Sequence, residues 1–146
     1  NPIKSSLSFS KGLLKKQINY SKIDYSHIIT PMLYHIAKFN NEQIVPICIN
    51  NILQANSSCL LEFLNYVNKY KLIECKDVIL QRLKEKNFAY DMFNLTETIL
   101  SFDDSQINNQ LKQVLISNQK DWDSENWSYS FRKLLRQHGI KIEKLK

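Results

Sequence analysis

The chain has 146 residues and a formal net charge of +6, with 43% hydrophobic residues, so an apolar core can form without metals or disulfides to support it. Only two glycines, Gly12 and Gly139, are present. That is too few for the many tight turns of a strand-rich fold and points to helices joined by short polar loops. No stretch reaches the ~20 apolar residues that span a bilayer, and the start lacks the apolar region of a secretory signal. The first residue is Asn1 rather than Met, which reads as a processed product or, by preference, a domain excised from a longer chain.

Residues 1–22 contain Lys4, Lys11, Lys15, Lys16 and Lys22 and no acid. Leu7, Leu13, Leu14 and Ile18 give a partial helical stripe broken at Gly12, so this segment reads as a basic N-terminal arm or short helix. Residues 23–146 read as a single helical domain. Thr30-Pro31 is a helix start, with Thr30 as cap and Pro31 at the first position, where a missing N–H costs nothing. Met32, Leu33, Ile36, Ala37 and Phe39 share one face, and Asn40 and Asn41 end that helix.

Asn41 can cap a helix over Glu42–Ala55, with Ile44, Ile47, Cys48, Ile52 and Leu53 as its stripe. Asn56-Ser57-Ser58 is a turn, with Ser57 or Ser58 capping a helix over Cys59–Tyr70 that buries Leu60, Leu61, Phe63, Leu64 and Val67. Further helices are predicted over Glu74–Lys86 and Tyr90–Phe102. Asp103-Asp104-Ser105 caps a helix over Gln106–Ser117, where Ile107, Leu111, Val114 and Leu115 recur at helical spacing. The last helix, Glu125–His138, carries Trp127, Phe131, Leu134 and Leu135. It ends at Gly139, which suits a left-handed helix end, and Ile140–Lys146 is a short tail. Trp127 reads as core and Trp122 as partly exposed.

Helix pairs therefore begin near residues 42, 74 and 105, a spacing of about 31–33 residues that suits stacked helical hairpins. Tetratricopeptide and ankyrin consensus positions are absent. The expected fold is all-α, a helical bundle or a short α-solenoid of about six to eight antiparallel helices.

No constellation carries obvious chemistry. Cys48, Cys59 and Cys75 lie among apolar residues and read as reduced core thiols of an intracellular protein. His27, His35 and His138 form no metal-ligand pair with them. Asp121, Asp123 and Glu125 alternate like the start of a calcium loop, but Asn126 and Arg132 stand where such a loop needs Gly and Glu. Sequons at Asn19, Asn56, Asn94 and Asn126 are what chance gives in a chain rich in Asn and Ser. No nucleophile sits on a glycine-flanked turn, and no glycine-rich loop could cradle a phosphate. The expectation is a non-enzyme with no catalytic residue, metal, cofactor or small-molecule substrate.

Charge is the one non-random feature. Residues 1–23 carry +5, residues 24–126 carry −4 and residues 127–146 carry +5. Lys11, Lys15, Lys16 and Lys22 at one end, and Arg132, Lys133, Arg136, Lys141 and Lys144 at the other, are the candidate partner-binding or nucleic-acid-binding residues. Arg132, Lys133 and Arg136 are placed opposite the Trp127–Phe131–Leu135 stripe. Such a surface attracts an acidic protein face or phosphates. The plainer reading is a solvated helix face whose cations suit the negative end of the helix dipole. Recurrent Tyr, Phe and Trp could stack on bases, but at helical spacing they read as core or interface residues. The expected function is a non-catalytic protein–protein interaction module of a larger intracellular scaffold or multisubunit complex. Its expected partners are other protein subunits, with no membrane contact. The alternative is a helical module of an RNA–protein assembly, such as one of ribosome biogenesis, that contacts RNA through its basic termini. The expected compartment is nuclear, nucleolar or cytoplasmic.

Overall fold

The computed structural model describes Met32 and residues 44–145. The basic N-terminal arm, the Thr30-Pro31 helix start and the Asn41 cap lie outside the described residues. Among the described residues there are α-helices and one 3-10 turn and no strand, so the fold is all-α. The helices are α1 (Ile44–Ile52), α2 (Ser57–Tyr70), α3 (Lys76–Lys84), α4 (Ala89–Leu100), α5 (Ser105–Ser117), α6 (Gln119–Trp122) and α7 (Ser128–Gln137), with the 3-10 turn at Ile73–Cys75 before α3. The chain divides into two compact units between Val78 and Ile79, within α3.

In the first unit, α1 packs on α2 and on the 3-10 turn. Ile44, Ile47, Cys48 and Ile52 of α1 are buried at the expected helical spacing, while Leu53 at the helix end is only half-buried. α2 starts two residues before its expected first residue, because its cap is Asn56 rather than Ser57 or Ser58. The Asn56 carboxamide accepts a hydrogen bond from the Cys59 N–H at 2.9 Å, which draws both serines into the first turn. Leu60, Phe63, Leu64 and Val67 are buried as the pattern demands, Leu61 is half-buried, and Cys59 and Tyr66 join the core. α2 ends at Lys71, which adopts a left-handed conformation with φ 51°.

The expected helix over Glu74–Lys86 divides into the 3-10 turn and the shorter α3. Asn87 explains its early end. The Asn87 carboxamide donates to the carbonyls of Arg82 (2.7 Å) and Glu85 (2.9 Å) and accepts from Arg82 Nε at 2.8 Å. Carbonyls that would otherwise invite another turn are thereby satisfied.

In the second unit, α4 packs on α5 and α6. Asp104 caps α5 as the sequence indicates, accepting from the Ile107 N–H at 3.0 Å, and Ile107, Leu111, Val114 and Leu115 are buried. The two tryptophans reverse their expected roles. Trp122 is fully buried, with Nε1 donating to the Leu115 carbonyl at 2.8 Å, and Trp127 is half-buried. The cause is the single turn of α6, which carries the α5 stripe past the break at Asn118 and turns Trp122 inward. α7 begins at Ser128 rather than Glu125, because residues 124–127 form a turn in which the Ser124 carbonyl accepts from Trp127 and Ser128.

Candidate functional site

The basic C-terminal residues are arranged by three local features. The first is the end of α7. Gly139 has φ +72°. Its N–H bonds the Arg136 carbonyl at 3.1 Å, and the Ile140 N–H bonds the Leu135 carbonyl at 2.9 Å. This is the paired closure that a left-handed glycine makes possible, and it sends the chain back along the helix.

The second is the segment after Gly139. Ile140 and Ile142 are buried, while Lys141 and Glu143 are exposed. That period of two belongs to an extended segment with one face inward, so in the short tail read from the sequence residues 140–143 are packed against the unit. Two side chains hold this segment by its backbone. Gln119 Nε2 donates to the Glu143 carbonyl at 2.6 Å, and Arg132 Nη1 donates to the Ile142 carbonyl.

The third is the placement of Arg132, which is a correction. Its guanidinium is not on the free outer face of α7. It pairs with Asp123 at 2.7 Å, the two side chains being 15% and 6% exposed, and it lies over the Trp122 ring at 5.6 Å. Its Nε also donates to Ser128 Oγ at 3.2 Å. Asp123 in turn accepts from Ser128 Oγ at 2.6 Å and from Gln119 Nε2 at 2.9 Å. Burial would raise the Asp123 carboxyl. The hydrogen bonds from Ser128, Gln119 and Arg132, with the Arg132 charge, outweigh it and hold the group at about 2. Arg132 is thus a structural clamp joining the α6–α7 turn, the buried indole and the returning segment.

The result is a cleft of about 550 Å³ lined by Arg132, Leu135, Arg136, Gly139, Ile140, Lys141, Ile142, Glu143 and Lys144. Four of the five C-terminal candidates therefore come together, and Lys133, exposed elsewhere on α7, does not join them. With Arg132 committed to Asp123, the outward charges are those of Arg136, Lys141, Lys144 and Glu143. Lys141 and Glu143 approach at 3.9 Å with both side chains almost fully solvated, a pair too wet to hold either group firmly. Lys11, Lys15, Lys16 and Lys22 lie outside the described residues.

Sequence reasoning missed Gln119, Ile140 and Ile142, and it weighed Asp123 only as a member of a rejected calcium loop, not as the partner of Arg132. The alternation Ile140-Lys141-Ile142-Glu143 is a legible signal of a half-buried extended run. Nothing in the spacing of Asp123 and Arg132 marks them as partners. Among the described residues no three His, Cys, Asp or Glu side chains come together as a metal site, and no helix is long and apolar enough to cross a membrane. Comparison of the chain with protein-family models, curated proteins and solved structures gives no match.

Proposed function

We propose that this chain is a non-catalytic protein–protein interaction module of a larger intracellular assembly, and that its C-terminal cleft is a contact surface. The observation that carries this reading is the combination of exposed cations with an apolar floor in one cleft. Arg136, Lys141 and Lys144 surround Leu135, Ile140 and Ile142. Protein interfaces typically set an apolar centre inside a polar rim. Clefts of several hundred Å³ are also the usual size for taking up a ligand or a few side chains. The glycine closure and the Asp123–Arg132 clamp hold the backbone of the cleft, so the ordering cost of binding falls on the side chains of its rim. The same unit also exposes two aromatic side chains, Phe88 at 77% and Tyr129 at 70%. Tyr and Phe at a surface are favoured interface residues.

The test is a photo-crosslinking amino acid placed at Lys144, with Gln113 on the exposed face of α5 as the control position. A defined protein partner captured at residue 144 alone, unchanged by ribonuclease and by raised salt, supports the reading. Capture of RNA at residue 144 favours the alternative, an RNA–protein module, because phosphate contacts are salt-sensitive. Equal or no capture at the two positions removes the cleft as a contact surface.

A further inference from the structure

We infer that the cleft receives an acidic peptide segment of a partner protein, taken up in extended form along Lys141. This deepens, and rests on, the reading of the chain as a protein-interaction module. Three observations carry it. The first is charge. Arg136, Lys141 and Lys144 line the cleft against one carboxylate, Glu143, so carboxylates on an incoming segment meet a net positive rim.

The second is the floor. Leu135, Ile140 and Ile142 lie beneath the cations, and the aliphatic stems of lysine and arginine extend that apolar wall toward solvent. Gly139 also lines the cleft, and a Cβ there would meet nothing within 4 Å, so the cleft is open to solvent at that point.

The third is the backbone. The segment after Gly139 alternates inward and outward residues, and its Ile140 N–H and Ile142 C=O are held by Leu135 and Arg132. In an extended segment the next residue's groups point to the other edge. Neither the N–H nor the C=O of Lys141 bonds another described residue. A donor and an acceptor on one edge are what an added strand uses, and alternate pockets then read its side chains. A nucleic acid uses neither of the last two features, because phosphates need only cations, and Glu143 stands against a run of phosphates. The peptide is therefore the better fit.

The test measures fluorescence anisotropy of three labelled probes against the full 146-residue chain. The probes are a short peptide alternating Glu and Val, its Glu and Ser counterpart, and oligo(U). The variants are Lys141→Glu with Lys144→Glu, and separately Arg136→Ala. All three positions are exposed, and circular dichroism confirms the fold of each variant. The Glu–Val peptide should bind best, the Glu–Ser peptide about tenfold more weakly, and the double reversal should weaken Glu–Val binding about tenfold or more. Equal binding of the two peptides overturns the proposal by removing the apolar seat. Tighter binding of oligo(U), lost on the double reversal, overturns it in favour of nucleic acid. No peptide binding, with protein capture at residue 144 intact, overturns the proposal alone. If the reversal leaves probe binding unchanged, and Lys141→Glu in the chain that carries the crosslinker at residue 144 leaves that capture unchanged, the underlying reading falls as well.

Discussion

Asp123 sits almost wholly out of water and keeps its charge because three side chains donate to it: Ser128, Gln119 and Arg132. Removing one member of a buried pair leaves the other uncompensated, at a cost of about 3 kcal/mol or more. Arg132→Glu should therefore lower unfolding stability in urea by about that amount. Lys133→Glu, one residue on and exposed, should change it by less than ~0.5 kcal/mol. Equal effects would show that the clamp contributes nothing. The same carboxyl gives a pH dependence. It titrates near 2 when folded against 3.8 in its ordinary state. A depressed value stabilises the fold fully above about pH 4, and that contribution of about 2 kcal/mol is lost as pH falls toward 2. Subtracting the stability profile of Asp123→Asn from that of the parent chain should isolate this slope. A flat difference between pH 4 and pH 2 would remove the argument. None of this pairing was legible in the sequence. Arg132 reads as an outward cation because helical periodicity places it opposite Phe131. It does not reveal a carboxylate arriving from a neighbouring turn.

At the scale of elements, ends and stripes were read well where the signal is chemical and local. Asp104 caps α5 and Gly139 closes α7, both through groups in the adjoining turn. Gly139 has open space around its Cβ position but a φ of +72°, so the backbone conformation alone restricts it. Gly139→Ala should cost about 1–2 kcal/mol, and Gly139→Asn less, because Asn tolerates this region better. Calorimetry that ranks the two variants the other way would show that lost space, and not φ, is the cause. Lys71 adopts the same region at the end of α2 without being glycine. Lys71→Gly should accordingly stabilise the chain, by up to about 1 kcal/mol. The stripes were less legible where they cross a break. Leu115 and Trp122 are seven residues apart, so the α5 face continues into α6. The polar run Asn118-Gln119-Lys120-Asp121 hides this. Gln119 is buried despite its polarity because Asp123 and the Glu143 carbonyl take its N–H groups.

At the scale of the whole molecule, the chemistry of the chain separates into its two units. Cys48, Cys59 and Cys75 all belong to the first, and each is a thiol outside any disulfide and completely buried. Both tryptophans belong to the second. The Cys48 thiol is pushed well above its ordinary value by a hydrogen bond with Cys75 and by burial. Since the thiolate is the reactive form, Cys48 in the folded unit is protected twice, by lack of access and by lack of ionisation. Alkylation at pH 8 should then proceed only through opening of the first unit, and its rate should report the free energy of that opening. Phe63 is wholly buried in the same core, and Phe63→Ala should cost about 3–5 kcal/mol. If that cost falls on the opening step, thiol labelling should accelerate by roughly two to three and a half orders of magnitude, at about 1.4 kcal/mol per factor of ten. Phe131 packs against Trp122 in the second unit, with ring centroids 5.0 Å apart. Phe131→Ala should lower the urea midpoint followed by tryptophan emission. Labelling that is already rapid in the parent chain, or that ignores Phe63→Ala, would show that these thiols are not sealed by the core that the helical stripes of α1 and α2 build.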